Sequence, residues 1–172
     1  MKKFFILLRK AFSFLPALLV MFLIFSFSSQ TGVESGNLSY KISHKIIVTA
    51  DKILDKNMSE EQIAHYTDKI HTPVRKLAHM SEYFVLAVCV SFPLYVYGLR
   101  GILLILFAGL ISVGFACTDE FHQSFVAGRG PSKRDVMIDS IGAFAGILLV
   151  QFVCWNTLRR SRRNNRRRRA NS

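Results

Sequence analysis

Four long apolar stretches dominate the chain, at about residues 11–27, 77–97, 101–117 and 136–155. Each comes close to the ~20 residues that an α-helix needs to cross ~30 Å of hydrocarbon. They leave too little of the chain for a separate soluble domain. The pattern therefore predicts an all-α integral membrane protein, a four-transmembrane-helix bundle over residues 11–158.

The first polar connection, at about residues 28–74, is long enough to contain structure of its own. Apolar residues recur about every four positions from Leu38 to Leu54, which indicates an amphipathic helix. The capping-box sequence at 59–62 (SEEQ) predicts a second helix start, and Pro73 is predicted to end or kink that helix. We expect two short amphipathic helices that lie on the membrane surface or fold over the mouth of the bundle.

The second polar connection, at about residues 118–135, is short and charged. Its glycines and proline within 128–131 indicate a tight turn. Ser132 followed by Asp135 is a capping pattern, so the fourth span is expected to begin there.

Small residues inside the spans have a packing interpretation. Gly142 and Gly146 have the small-xxx-small spacing that allows two helices to approach closely. Cys89, Cys117 and Cys154 fall in three different spans without metal or redox spacing, so they are expected to be packing residues.

Charge is divided unequally between the two sides of the predicted bundle. Residues 1–10, Arg100 and the arginine-rich tail 159–172 contain thirteen Lys/Arg and no acidic residue, whereas the connections 28–74 and 118–135 and the adjoining span ends hold all eleven Asp/Glu. The positive-inside rule therefore places both termini in the cytoplasm and both connections outside. The start of the chain would also fit a cleaved signal peptide, but it lacks an A-x-A site, so an uncleaved span is favoured.

The arginine-rich tail has two interpretations. A basic cluster can bind nucleic acid, but this one has no interleaved aromatic residues and directly follows a span. A topology anchor that touches anionic lipid headgroups is favoured, and no nucleic-acid partner is expected.

Polar residues interrupt the apolar stretches near their outer ends. Arg75, His79, Glu82 and Tyr83 share one face of the second span by their spacing. The other polar residues at this level are Gln30 after the first span, Asp119, Glu120 and Gln123 at the end of the third, Arg129 in the second connection, and Asp135 and Asp139 at the start of the fourth. Polar groups at membrane depth are costly unless paired or hydrated, and they mark functional sites by default. The sequence thus predicts one polar site at the outer face.

The helix dipoles suggest how these residues pair. Asp119 and Glu120 are predicted at a helix C-terminus, and Arg75 and Lys76 at a helix N-terminus, where each charge is unfavourable. Ion pairs across the bundle would compensate, so the polar face of the second span is predicted to meet the acidic end of the third. An ion-pair network that only fixes helix register is the alternative interpretation, and Asp135 has the alternative role of a helix cap.

Three motifs in chain order make the sequence resemble the VanZ-like family of small membrane proteins, which is named for a glycopeptide-resistance accessory protein that raises tolerance to teicoplanin. The motifs are Phe25–Ser35 (FSFSSQTGVES), Val74–Tyr83 (VRKLAHMSEY) and Asp119–Asp135 (DEFHQSFVAGRGPSKRD), the last continued by Asp139 and Gly142. The third is similar to the family signature D-E-x-x-Q-x-F-x-x-x-R-x-x-S-x-x-D, with Ala127 where a proline is usual. The resemblance implies a bacterial plasma-membrane protein of the cell envelope, with a link to tolerance of lipid-bearing glycopeptides, and it supplies no mechanism.

The polar site suggests a lipid-linked or anionic envelope molecule, or the glycopeptide, as its ligand. Arg75 and Arg129 are the candidates to hold phosphate, for which a guanidinium is suited. The other candidate ligand-binding residues are Tyr83, Gln123, Asp135, Asp139 and Gln30. Glu120, Asp119, His79 and Glu82 are candidate catalytic residues, as general acids or bases.

Three classes of function remain open at this stage: an enzyme that acts on such a molecule, a non-catalytic binding protein, and a scaffold for other envelope proteins. The sequence contains no nucleophile elbow and no phosphate loop with lysine. Carboxylates with one histidine suit several divalent cations equally, so a cation is a less favoured alternative and no cofactor is assigned. The oligomeric state is likewise not assigned.

Overall fold

The computed structural model describes the backbone of residues 10–170 and the side chains of residues 10–157 and Arg159. Every helix or strand in this part of the chain is an α-helix, which confirms the predicted fold class. The helices are α1 (Leu15–Ser28), α2 (Gly32–Leu54), α3 (Glu60–Val96), α4 (Ile102–Gln123) and α5 (Lys133–Ala170). The predicted N-terminal segment before Lys10, and most side chains of the predicted tail, lie outside the described residues.

Four helical segments within residues 10–170 are long and apolar enough to cross a membrane: Lys10–Ser28, Glu60–Val96, Ile102–Gln123 and Lys133–Thr157. They cover the four predicted spans except for residues 97 and 101. Large apolar side chains along α1, α4 and α5 remain exposed in the isolated chain, as expected for helices that face lipid tails.

Helix α3 lies at the centre of the bundle and packs against all four other helices. Its closest neighbour is α5, where Gly142 and Gly146 lie against the backbone of α3. A Cβ atom at Gly146 would stand 2.5 Å from the carbonyl oxygen of Phe84, and one at Gly142 would overlap that of Met80. The close helix packing predicted from the glycine spacing is confirmed.

Helix α3 is one continuous helix of 37 residues that contains Pro73. Of the two predicted alternatives, an end or a kink at Pro73, the end is therefore wrong. A proline inside a helix removes one backbone hydrogen bond, and here α3 is supported by packing against all four other helices. At 1.5 Å per residue α3 is about 55 Å long, so its first turns project beyond a ~30 Å hydrocarbon layer.

Both helices of the first connection begin with a capping box. Ser59 and Gln62 form the predicted one. The backbone amide of Gln62 donates a 3.3 Å hydrogen bond to the Ser59 hydroxyl, and the backbone amide of Ser59 donates a 3.0 Å hydrogen bond to Oε1 of Gln62. Thr31 and Glu34 form a second box at the start of α2, which the sequence analysis missed although T-G-V-E matches the pattern. The hydrogen bonds from the Thr31 amide and hydroxyl hold the pKa of Glu34 below its ordinary value.

One end of the bundle collects the end of α1, the start of α2, the end of α4 and the start of α5, and we call it the polar end. The amide of Gly32 donates a 3.0 Å hydrogen bond to the carbonyl of Ala127 in the α4–α5 connection. Gly128 has φ +74°, and a Cβ on Gly32 would overlap its carbonyl oxygen, so this crossing requires glycine at both positions. The α4–α5 connection is thereby fixed against the start of α2.

Candidate functional site

A cavity of about 390 Å³ lies at the polar end and is lined by residues of α2, α3, α4 and α5. It brings together six of the predicted site residues: Arg75, His79, Glu120, Gln123, Asp135 and Asp139. The lining also includes Ser39, His71, Thr72 and Arg134, which were not predicted as site residues from the sequence. Ser39 and Gly36, which also lines the cavity, belong to α2. The apolar periodicity of α2 predicts a helix but does not predict where that helix packs on the bundle.

Five predicted site residues do not line the cavity: Gln30, Glu82, Tyr83, Asp119 and Arg129. Tyr83 and Asp119 are fully buried side chains, with 0% and 1% exposure. Gln30 follows the end of α1, and its side chain makes no hydrogen bond to the described residues 10–157.

A chain of hydrogen bonds runs behind the cavity from α1 to the α4–α5 connection. The Oδ2 atom of Asp119 accepts from the Ser28 hydroxyl at 2.7 Å and from Nε2 of Gln123 at 3.0 Å. The Oε1 atom of Gln123 then accepts from Nη1 of Arg129 at 2.9 Å. The two donors to Asp119 lie at helix ends, Ser28 at the end of α1 and Gln123 at the end of α4. Asp119 thus joins these two ends, which favours a structural role for it.

Arg129 is half-buried beside this chain. Burial lowers the pKa of its guanidinium, and the nearby charge of Arg75 lowers it further, while Asp119 and Glu120 act in the opposite direction. A guanidinium stays protonated in proteins, so Arg129 contributes a fixed positive charge. That charge is directed to Gln123 behind the cavity, which makes Arg129 a weaker candidate for phosphate than the sequence suggested.

Glu120 holds the start of α5. Its carboxylate accepts a hydrogen bond from the backbone amide of Ser132 at 2.5 Å, and the Ser132 hydroxyl accepts from the Asp135 amide at 3.4 Å. The helix start predicted at Ser132 is thus confirmed. In a complete capping box the Asp135 carboxylate would accept a hydrogen bond from the Ser132 amide. Here the Asp135 carboxylate pairs with Lys76, and Glu120 on α4 accepts from the Ser132 amide instead.

The ion pairs differ from those predicted. Within residues 10–157, two pairs lie at salt-bridge distance: Lys76 Nζ to Asp135 Oδ1 at 3.6 Å and His79 Nδ1 to Glu82 Oε2 at 3.4 Å. The predicted meeting of α3 with the acidic end of α4 is found, because Arg75 and His79 line the same cavity as Glu120 and Gln123. Neither ion pair joins α3 to α4, however, so the predicted ion pairs between Arg75 or Lys76 and the acidic end of α4 are wrong.

The reason lies in where α3 begins. Because α3 starts at Glu60, Arg75 and Lys76 lie about four turns inside the helix and carry no dipole penalty. Arg75 and Arg134 line the cavity with no salt-bridge or hydrogen-bond partner for their side chains among the described residues. Two guanidinium groups therefore remain available to a ligand.

Asp139 is the most buried carboxylate of the cavity wall, with 6% of the residue exposed. Its Oδ1 atom has no hydrogen-bond partner in the part of the chain that the structure describes. The hydroxyl of Tyr83, nearby and fully buried, is also without one. Buried polar atoms without partners are costly, so both atoms are unusual features of this site.

A metal centre has no assembled ligand set in residues 10–157, where no group of three or more His, Cys, Asp and Glu side chains is arranged to hold an ion. The functional groups that line the cavity include guanidinium, ammonium, imidazole, carboxylate, amide and hydroxyl groups.

Comparison with known proteins adds one match. The model of the VanZ/LLP1 family matches residues 13–154, a range that contains the whole cavity. No curated protein and no solved structure matches the chain.

Proposed function

The chain belongs to the VanZ-like family of membrane proteins, and from this premise we propose that its cavity binds the phosphate-bearing headgroup of an envelope lipid or lipid-linked precursor. The observation that carries the proposal is the pair Arg75 and Arg134, which line the cavity without a partner for their guanidinium groups. A guanidinium donates two parallel hydrogen bonds to phosphate oxygens, and these charge-assisted bonds are among the strongest in proteins.

The position of the cavity supports a lipid ligand. It lies near the end of α4 and the start of α5, and these parts of the two helices expose large apolar side chains such as Phe121 and Ile141. A lipid can keep its tails against those side chains while its headgroup enters the polar end. By the distribution of Lys and Arg, we place this end outside the bacterial plasma membrane and both termini in the cytoplasm.

The geometry favours binding over catalysis. Of the four candidate catalytic residues, Asp119 and Glu120 accept hydrogen bonds that hold helix ends in place. His79 and Glu82 remain as a possible general acid–base pair, at 3.4 Å. A binding protein needs only the cavity and its arginines, so we propose binding as the function and processing by His79 and Glu82 as the alternative.

The proposal is tested by the lipids that remain bound to the purified protein. Wild type, Arg75→Ala and Arg134→Ala are purified in a mild detergent, and bound phospholipid is quantified by mass spectrometry. Each arginine variant should retain about tenfold less lipid, the loss expected for one charge-assisted hydrogen-bonding group. Lys133→Ala is the matched control, because Lys133 is exposed beside Arg134 but does not line the cavity. Equal retention by all four proteins would contradict the proposal.

Tolerance to teicoplanin-type glycopeptides is the physiological role that we propose for this binding. Wild type expressed in a susceptible Gram-positive host should protect against teicoplanin more than against vancomycin, and Arg75→Ala at equal membrane level should not. If wild type binds lipid but gives no protection, the tolerance role is wrong while the binding function stands.

A scaffolding function is the second candidate, and one observation favours it. Helix α2 exposes Ile42, Ile46 and Ile53 along one apolar groove, and such a stripe can bind a helix of another protein. Ile46→Ser should then reduce proximity labelling of envelope proteins and leave the retained lipid unchanged. Identical labelling of the variant and wild type would remove the support for this candidate.

A further inference from the structure

The cavity contains as many carboxylates as fixed cations, which is unusual for a site that binds only an anion. Its wall carries the cations Arg75, Lys76 and Arg134 and the carboxylates Glu120, Asp135 and Asp139. Some of these charges are satisfied within the protein, since Lys76 pairs with Asp135 and Glu120 accepts from the Ser132 amide. Arg75, Arg134 and Asp139 are the charged residues of this set that have no side-chain partner among the described residues.

Asp139 therefore requires a partner of its own. Its Oδ1 atom is buried and has no hydrogen-bond partner within the described residues. A buried carboxyl oxygen without an opposite charge or a hydrogen-bond donor is unfavourable. A ligand ammonium group would supply both the opposite charge and a hydrogen-bond donor.

The charged groups around Asp139 come from three helices. His79 on α3 is the basic side chain near it, and Glu120, Asp119 and Asp135 are the acidic ones. The Nδ1 atom of His79 already lies 3.4 Å from Glu82 on its own helix. Among these four side chains the carboxylates outnumber the imidazole, which favours a cationic ligand group at Asp139.

The lining also bears on the kind of cation. None of the residues that line the cavity is Phe, Tyr or Trp. Quaternary ammonium groups such as choline are recognised by aromatic cages and cannot donate an N–H hydrogen bond. A primary amine can donate to the free Asp139 oxygen.

We infer that the site selects a phosphodiester headgroup that carries a primary amine, with the phosphate held by Arg75 and Arg134 and the amine by Asp139. The inference rests on the proposed function and adds the class of headgroup to it. Phosphatidylethanolamine is the simplest lipid of this class. Its small headgroup suits a cavity of about 390 Å³, near the lower end of the usual range for ligand pockets.

The test uses the full chain in detergent micelles and lipids that share the same acyl chains. Native mass spectrometry compares phosphatidylethanolamine, its N-methyl and N,N-dimethyl derivatives, phosphatidylcholine and phosphatidylglycerol. Affinity should fall stepwise with methylation, by about tenfold between the primary amine and choline, and phosphatidylglycerol should bind as weakly as phosphatidylcholine. This series needs no variant, so it holds even if a substitution at Asp139 impairs folding.

Variants then assign the preference to residues. Asp139→Asn should remove the difference between phosphatidylethanolamine and phosphatidylcholine, whereas Arg75→Ala should weaken all of the lipids. Equal, Arg75-dependent binding of all five lipids by wild type would overturn the amine inference and leave the phosphate proposal standing. Binding that does not depend on Arg75 would contradict the proposed function itself. An unchanged preference in folded Asp139→Asn would show that Asp139 does not hold the amine.

Discussion

Ser28 at the end of α1 donates a 2.7 Å hydrogen bond to Asp119, which is 91 residues further along the chain near the end of α4. Both side chains are fully buried. Hydrogen bonds to a charged group contribute about 1.5–3 kcal/mol, and a buried carboxylate that loses a donor is destabilising. Because Asp119 also accepts from Gln123, this one carboxylate joins α1, α4 and the α4–α5 connection.

Ser28→Ala should therefore lower the free energy of unfolding by about 1.5–3 kcal/mol, measured by denaturant titration in micelles. Ser29→Ala is the matched control. Its hydroxyl is exposed and bonds to the carbonyl of Phe25 in its own helix, so the change should stay within about 0.5 kcal/mol. A double-mutant cycle with Asp119→Ala should show coupling of about 0.5–3 kcal/mol, and strictly additive effects would contradict the assigned bond.

The carboxylate of Glu120 is expected to act first as a cap of α5. Glu120→Ala removes the acceptor of the Ser132 amide and should cost about 1–2 kcal/mol of stability. Glu120→Gln keeps a carbonyl oxygen at the same distance and should cost less than half of that. Thermal unfolding in micelles compares the two variants.

The same pair of variants separates capping from chemistry. If Glu120→Gln folds like wild type and retains lipid, the carboxylate charge is not needed for binding. If Glu120→Gln is as unstable as Glu120→Ala, the hydrogen bond to Ser132 is not what holds α5.

The spans and the common level of their polar residues were predictable, because both depend on local features of the chain. Hydrophobic length sets where a span ends, and helical spacing sets which residues share a face. Arg75 and His79 were placed on one face of α3 in this way, and both line the cavity.

The partners within the site were not predictable, because they depend on how the helices rotate against each other. Ser28 illustrates this, since a serine at the end of a span usually bonds to its own backbone, as Ser29 does. Gly142 and Gly146 set how closely α5 approaches α3, and this packing contributes to placing Asp135 on α5 near Lys76 on α3. The pairing assumed from the sequence failed because it took Arg75 to be at a helix start, whereas α3 begins at Glu60.

Because α5 packs closely on α3, alanine substitution should destabilise the protein far more at Gly142 than at Gly114. Gly142→Ala places a methyl group on the carbonyl oxygen of Met80, so the helices must move apart at a cost of about 1–3 kcal/mol. Gly114→Ala in α4 meets no atom within 4 Å and should be neutral or stabilise by up to about 1 kcal/mol, because alanine favours the helix. Denaturant titration of both variants checks this, and similar effects at the two positions would contradict the packing.

The capping box of α2 predicts a pH dependence at the start of that helix. Hydrogen bonds from the Thr31 amide and hydroxyl lower the pKa of Glu34, so the folded turn binds its proton less readily than the unfolded chain. The stabilisation is therefore fully present above the unfolded-state value, about 4.3 for glutamate, and is lost as the pH falls through the lower folded-state pKa.

An NMR titration of the Thr31 amide in micelles should place the midpoint below 4.3, the ordinary value for glutamate. Thr31→Ala removes the hydroxyl donor and leaves the backbone donor, so the midpoint should move part of the way back. Glu34→Gln should abolish the transition, which assigns it to this carboxylate rather than to its neighbours. A midpoint at or above the ordinary value in wild type would mean that the capping box does not form at the start of α2.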